Sequence, residues 1–561
     1  MKTFSTLVLA LAALLLLPPR AGAQTAARLA ETGPNDFRIS HVERDGALAT
    51  GARTPASAYN FTDQEYLVVW AAPDAGALAI FGQRLDATTG EATGPAFRVS
   101  PGGDDAAAAA LTPAAVYNPA AHEYLVVWTA AADGAAEILG QRLGAATGEA
   151  LGAPLQIAEA PATQPAVAYD RRHGHYLTVW RGVEADAPGA AEIFGQRLDA
   201  AGVPAGDVLR LSTTGPDGDP AFDAHHPAVA ADPARGAFFV VWEGDPVVDG
   251  AFEVFGRRLD AATGEALDDA LRLSAMGRDD DDPAFGAHRP AVAFNETADA
   301  YLVVWLGSDD AAGLAAGEFE VFGQRLDAAT GKPLGADDFR ISTMGDDKDA
   351  RFAAAAPTVA FSPDAGVFLV LWRGDDSAAP LVEGEHELFA RALPGDHRTR
   401  LDDAPAVRLS DMGPDGHTGY AALHPAVVHG PDGTFLTLWS GSDDALGGDA
   451  HAIFGQLVSA ASEEGVDAFV EVPGELLFAS PYPNPFNRST TVTLAVREAQ
   501  RVQVLVFDML GRRVATLYEG TMEAGRAHPL VFDAAAHPSG PYFIQAVGET
   551  FLETKRIVLV R

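Results

Sequence analysis

Residues 65–70 read Glu-Tyr-Leu-Val-Val-Trp, and the phrase returns as EYLVVW at 123–128, HYLTVW at 175–180, FFVVW at 238–242, YLVVW at 301–305, FLVLW at 368–372 and FLTLW at 435–439. Every tryptophan of the chain closes one copy: Trp70, Trp128, Trp180, Trp242, Trp305, Trp372 and Trp439, spaced 58, 52, 62, 63, 67 and 67 residues apart. A period of this length marks a repeat architecture in which each unit is one supersecondary motif. Short runs rich in Val, Leu, Phe, Tyr and Trp, bounded by Gly, Asp, Asn and Pro, read as strands.

Three other phrases keep step with the tryptophans. A PAVAY-like run precedes each one, opening at Pro55, Pro113, Pro165, Pro227, Pro290, Pro357 and Pro425. FGQRL or a variant follows, at Phe81, Leu139, Phe194, Phe255, Phe322, Phe389 and Phe454. A DAATG-type segment comes next, a hairpin loop whose glycine supplies the positive φ that closes it. An FRVS-like string then ends at Ser100, Ala158, Ser212, Ser274, Ser342 and Ser410. Four antiparallel strands repeated seven times predict an all-β chain built on a seven-bladed β-propeller. The fourth-strand string follows only six of the tryptophans. The missing copy is Asn35-Asp36-Phe37-Arg38-Ile39-Ser40, ahead of the first repeat, so the N-terminal strand is expected to complete the last blade and remove an exposed edge. The repeats resemble tandem acidic repeats carrying the EIFGQRLDAATG phrase in secreted bacterial proteins, over about residues 30–460. That resemblance implies architecture and export, and no activity. The glutamates and arginines that recur around FGQRL are too regular for one active site and are expected to join blade to blade.

The ends of the chain bear on location. Lys2, the apolar run Leu7–Leu17 and Ala21-Gly22-Ala23 read as an export signal over residues 1–23, and no later run reaches membrane-spanning length. There is no cysteine, which excludes disulfides, thiolate catalysis and cysteine-bound zinc. Lys+Arg 39 against Asp+Glu 77 gives −38 and argues against a nucleic-acid partner. The acidity is concentrated: residues 24–476 hold 28 basic and 70 acidic side chains. Either a composition bias or a salt-adapted surface accounts for it.

The propeller is expected to span 24–460, an acidic linker 461–475, and a small Ig-like β-sandwich 476–561, whose runs include TTVTLAV, VQVLVFDML, PYFIQAV and TKRIVLVR. Tyr482-Pro-Asn-Pro-Phe-Asn487, Phe507-Asp-Met-Leu-Gly-Arg-Arg-Val514, Pro538-Ser-Gly-Pro-Tyr-Phe543 and Lys555–Arg561 resemble the type IX secretion system sorting domain. Its motif positions here are Pro483, Asn484, Pro485, Phe486, Gly511, Arg512, Gly540, Lys555 and Arg556; Arg488 and Pro541 depart from the usual pattern. The resemblance implies type IX secretion machinery as a partner and delivery to the outer-membrane surface or the medium of a Gram-negative bacterium.

In a propeller the first strand of each blade lines the channel, so the loops entering it share a face with the loops joining strands two and three. Acidic insertions gather on that face in repeats four to seven. The entering loops carry Asp217, Asp219, Asp279, Asp280, Asp281, Asp282, Asp346, Asp347 and Asp349, and their companions Asp309, Asp310, Asp375, Asp376, Asp443 and Asp444. Carboxylates on glycine-containing loops suit calcium, although no loop matches the helix–loop–helix pattern and a solvated acidic surface is the competing explanation. No cofactor is required. His225, His226, His288 and His424 stand just before an innermost strand's proline, where imidazoles serve as ligands or acid–base groups or simply cap the strand. The leading expectation is a monomeric, non-catalytic exported propeller that binds a glycan or a surface protein. The alternative is a secreted polysaccharide hydrolase or lyase working on the acidic face.

Overall fold

The computed structural model describes residues 28–31, 36–40, 43–44, 47–48 and 51–461 except 75, 102–108, 185–188, 217, 279–281, 336–337, 378–380, 397–405 and 443–450, and then 476–478, 486, 489–497, 499–522, 528–534 and 537–560. The export signal and nearly all of the linker lie outside these residues. The chain divides into two compact units, residues 27–463 and 464–561.

In the first unit each repeat folds into one antiparallel sheet. Blade 1 consists of Arg53–Asn60, Glu65–Asp74, Ala77–Asp86 and Phe97–Arg98, hydrogen-bonded in that order. Among the described residues there are seven such sheets. Their first strands are Arg53–Asn60, Ala109–Asn118, Ala162–Asp170, Ala224–Asp232, Gly286–Asn295, Ala354–Ser362 and Ala422–His429. Each of these packs beside the next, and the seventh packs beside the first, so the sheets form a ring of blades around a channel: a β-propeller. The second strands are apolar on both faces because each blade is sandwiched between two others, which is why they read as continuous runs rather than alternations. An apolar layer fills every gap between neighbouring blades. The layer joining blade 7 to blade 1 contains Ile39, Trp70, Leu436 and Ile453. The indoles are buried in these layers, and five stack on the third-strand phenylalanine, as Trp70 does on Phe81 at 6.4 Å.

The last blade is closed from the other end of the chain. Phe37–Arg38 pairs with Ala452–Ala461 in the register of every other fourth strand: Phe37 faces Gly455 and Arg38 faces Phe454, as Phe97 faces Gly82 and Arg98 faces Phe81. The Ile453 N–H donates to Ser40 Oγ at 2.9 Å, as the Ile80 N–H donates to Ser100 Oγ at 3.0 Å. A further strand, Arg28–Glu31, pairs with the C-terminal half of Ala452–Ala461; Glu31 faces Val458 at the position where blades 1 to 5 make a single bridge, as Leu85 does with Ala92. The DAATG loops lie across the neighbouring blade. Gly90 (φ +73°) approaches the Phe37 ring so closely that an added Cβ would stand 3.0 Å from it, and Gly148 meets Phe97 in the same way at 2.7 Å.

The second unit is a two-sheet sandwich. One sheet holds Leu476–Phe478, Ser489–Val496 and His528–Asp533, and the other Arg513–Met522, Gln500–Phe507, Gly540–Val547 and Leu552–Leu559. Both contribute to one core that includes Val492, Leu494, Val504, Phe532, Ile544 and Ile557.

Candidate functional site

Seven non-glycine residues at the top of the first strands adopt left-handed backbone. They are Thr54, Thr112, Gln164, His226, Arg289, Ala356 and His424, each just before the strand's proline and each with φ between 45° and 56°. The pairing of first and second strands shifts at every one of them, a β-bulge. A side chain there is re-aimed at the cost of backbone strain, a combination concentrated at functional sites. Just beyond the bulge, the first-strand residue that precedes it pairs with the residue that follows the tryptophan: Arg53 with Ala71, Leu111 with Thr129, Thr163 with Arg181, His225 with Glu243, His288 with Leu306, Ala355 with Arg373 and Leu423 with Ser440. Below this rim the repeats are nearly uniform; at the rim no two blades match.

Three of the four predicted histidines meet around Glu243. Its buried carboxylate is 2.9 Å from His226 Nδ1, accepts the Arg289 N–H, and lies 3.9 Å from His288 Nδ1. The His226 N–H in turn donates to Gln164 Oε1 of the preceding blade at 3.0 Å. Burial opposes charge on Glu243, but the His226 hydrogen bond and charge, then the Arg289 N–H, hold it below the usual carboxylate range. Burial pushes His288 down, and burial followed by the Arg181 charge pushes His225 down. Arg181 Nε donates to His225 Nδ1 at 2.8 Å. The rings of Phe252 and Phe319 flank His288, at 5.4 and 5.6 Å.

His424 belongs to another part of the rim. It is held below the usual histidine value first by burial, then by the positive charges of Arg373, His451, Arg53 and Arg289. His386 is lowered by burial and by Arg373. The backbone explains the convergence: His386 C=O accepts the Ala422 N–H at 2.8 Å, and His451 C=O accepts the Gly51 N–H at 2.8 Å, so each ring stands against the first strand of the next blade.

The acidic loop residues do different work. Asp309 accepts the N–H groups of Gly277, Ala311 and Ala312, Asp310 that of Arg278, and Asp375 those of Ala353 and Gly384. Asp219 and Asp282 accept the N–H two residues on. Asp347 pairs with Arg340 at 2.7 Å and Asp349 with Arg351, while the Asp346 carbonyl accepts the Asp349 N–H. Asp376 sits half-buried beside Asp375; Asp217, Asp279, Asp280, Asp281, Asp443 and Asp444 lie outside the described residues. Among the described residues no three acidic or histidine side chains are grouped to hold a metal ion. Asp309, Asp310 and Asp375 thus join loop to loop through backbone donors, while the others serve their own loop or pair with arginine. Melting at high, fixed sodium chloride is therefore expected to respond alike to millimolar calcium, magnesium or chelator. A saturable, calcium-specific rise that is lost in Asp282→Asn would instead demonstrate a bound ion.

For the recurring glutamates, the expectation of blade-to-blade pairing needs correction. Glu192, Glu253, Glu320 and Glu387 are buried on third strands and bind the fourth strand of their own blade. Each takes the serine hydroxyl of that strand, one arginine (Arg210, Arg272, Arg340 and Arg408, at 2.6–2.9 Å) and the backbone N–H of Thr214, Met276, Met344 or Met412. Burial pushes Glu253, Glu320 and Glu387 up, Glu387 to about 7, against those donors. The FGQRL arginines do cross between blades in several cases: Arg142 reaches the Ala201 carbonyl and Arg325 that of Pro394.

At the opposite end of the channel the sequence reading missed a cavity of about 630 Å³ lined by all seven blades. Tyr59, Tyr117, Tyr169, Phe294, Phe361 and His429 occupy one strand position around it, with Ala231 in blade 4. The signal was the last residue of each PAVAY-like run.

In the sandwich, Phe486 is buried and its N–H donates to the Val558 carbonyl at 2.9 Å. Arg512 closes the hairpin at Gly511 (φ +73°), donating to Asp508 at 2.7 Å, while Met509 and Leu510 stand exposed at the tip. Lys555 lies over the Phe478 ring at 5.3 Å; Gly540 opens the strand whose Phe543 faces Arg556. Pro483, Asn484 and Pro485 lie outside the described residues.

A ring of antiparallel blades with a variegated rim, followed by a two-sheet sandwich, defines a β-propeller carrying an appended module. Residues 480–560 match the family described as a secretion system C-terminal sorting domain. The chain is thus secreted or carried to the outer-membrane surface. No curated protein matches the sequence. Similar solved structures include a Dyadobacter fermentans protein of unknown function (11% identity, covering 77% of this chain and 99% of that one, TM-score 0.42). Others are a GH93 α-L-arabinofuranosidase of Fusarium graminearum (12%, 75% and 97%, 0.40) and a PL25 ulvan lyase (11%, 76% and 96%, 0.45). Likeness of this order says nothing of activity.

Proposed function

We propose that this chain is an exported binding protein whose propeller holds its ligand at the rim where the first strands begin, and whose sorting domain delivers it to the cell surface. The observation that carries the reading is the contrast between uniform repeats and a rim that differs in every blade, the pattern a ring acquires when one end meets an asymmetric ligand. Screening the mature chain against glycans and surface polymers, with product release followed in parallel, tests it. Binding without turnover that weakens in rim variants supports it; binding indifferent to the rim overturns it.

The His226–Glu243 pair favours a second reading, a polysaccharide-cleaving enzyme, because a carboxylate 2.9 Å from an imidazole can orient that ring for proton transfer. In that case Glu243→Gln abolishes product release while binding persists.

Delivery has its own test. Removing residues 476–561 is expected to leave a folded propeller stranded in the periplasm of a host that has the matching machinery. Normal surface display of the shortened chain would contradict the sorting role.

A further inference from the structure

The rim is divided by charge. In blades 4 and 5, His225, His226 and His288 gather on Glu243, a carboxylate that balances them. From blade 5 round to blade 1 the rim instead presents Arg289 at a bulge, Arg373 after its tryptophan and Arg53 before a bulge. None of these three arginines is in an ion pair with a described residue, and the buried Arg373 Nε has no hydrogen-bond partner among the described residues. Asp375, the acid closest in sequence to Arg373, is itself committed to the Ala353 and Gly384 N–H groups. His386 and His424 lie on the same stretch of rim; burial is the first cause that holds each below its ordinary value, followed by Arg373 for His386 and by Arg373, His451, Arg53 and Arg289 for His424.

This cluster sits in a chain of net charge −38, so it does not follow from composition. Guanidinium groups elsewhere in the propeller are mostly matched by acids: Arg98 with Asp74, Arg210 with Glu192, Arg235 with Asp232 and Asp299. Arg53 and Arg289 are exposed, whereas Arg373 is half-buried and burial opposes its charge, an opposition that a bound anion would offset. Guanidinium is also the group whose donor fork fits carboxylate and sulfate oxygens. The arginines come from three different blades, an arrangement that a chain bearing repeated acidic groups could follow from one to the next. The half-buried Phe252 and Phe319 rings, which flank His288, the residue before Arg289 in the chain, are aromatic surfaces of the kind on which sugar rings stack.

We propose that the rim from blade 5 to blade 1 receives an acidic polysaccharide, its carboxylate or sulfate groups held by Arg289, Arg373 and Arg53. This inference rests on the binding reading above and adds the ligand's charge.

The test is titration of the mature full chain with a polyuronate, a sulfated dextran and neutral dextran, at about 0.15 M salt, where exposed charges are screened beyond roughly 8 Å. Binding of one or both acidic polymers and not of neutral dextran is expected, and which acidic polymer binds separates carboxylate from sulfate recognition. Arg289→Gln with Arg373→Gln should weaken binding by on the order of 10-fold or more for each charge-assisted hydrogen bond removed. Arg289→Lys with Arg373→Lys should retain part of the affinity, and Arg501→Gln in the sandwich should change nothing. Equal melting temperatures show that the variants fold. Affinity unchanged in the double glutamine variant, or no binding of either acidic polymer, overturns the proposal. Binding of neutral glycans that disappears on Phe252→Ala but not on the arginine changes would overturn the charge while keeping the rim. Binding that ignores every rim variant would overturn both.

Discussion

A chain lacking residues 24–41 is expected to melt far below the intact mature chain and to lose a sharp propeller transition. The deletion removes a whole fourth strand: the Phe37–Arg38 pairing, the Ile39 N–H donated to the Ile453 carbonyl at 2.7 Å, the Ser40 hydroxyl bound to the Ile453 N–H, and the Arg28–Glu31 strand beside it. It also opens the apolar layer between blades 7 and 1, where Ile39 is 2% exposed and Phe37 packs beneath Gly90 of blade 1. A finer version is Ile39→Ala, for which a loss of about 2–5 kcal/mol follows from emptying a buried aliphatic site. Differential scanning calorimetry measures both. If the deleted chain melts with the intact one, blade 7 does not depend on its N-terminal strand.

Glu320→Ala should be the most damaging single change on a blade. The side chain is buried and accepts Arg340, the Ser342 hydroxyl and the Met344 N–H, so truncation strands three donors in the blade interior. Breaking a buried, hydrogen-bonded ion pair from one side costs about 3–5 kcal/mol. Blades 1 and 7 show what a matched absence looks like. Alanines 79 and 452 replace the glutamate there, the serine still accepts its backbone N–H, and Arg98 turns to Asp74 instead. Adding Arg340→Ala to Glu320→Ala should therefore cost less than the sum of the two changes made singly. A loss below about 1 kcal/mol in the urea unfolding free energy of Glu320→Ala, on the scale of an ordinary surface change, would show that these glutamates are not structural staples.

The ring was legible because every repeat says the same thing. The tryptophan phrase, the proline that opens the first strand and the hairpin glycine fall at matching positions, and the count of six fourth strands against seven tryptophans points to Phe37–Ser40 as the seventh. Arg28–Glu31 escaped because it carries none of those phrases. The glutamates were assigned to the wrong neighbour because spacing does not reveal which strand edge a side chain faces; sheet register puts Glu320 opposite its own blade's serine. The backbone N–H groups that Asp309 and Asp375 accept are invisible in a row of side chains. His225, His226, His288 and His424 were visible as a set, yet Glu243, Arg53, Arg289 and Arg373 were not. They lie where the repeats disagree, and a search for recurring residues passes over such positions. The bulge itself left only a faint trace, since left-handed backbone usually announces itself by glycine, and here it is held by residues before proline.

The closing strand also sets a clock. Ser40 and Ile453, which meet across the last blade, are 413 residues apart. At a synthesis rate of about 5–20 residues per second, the first emerges roughly 20–80 s before its partner exists. Throughout that interval the blades already made form an open arc with bare edges at both ends, and closure, the most non-local pairing in the propeller, comes last. The sorting domain follows within some twenty residues of the strand that permits closure. A chain interrupted anywhere upstream therefore lacks both the strand that permits closure and an address, so the signal is carried only by chains synthesised through the last blade.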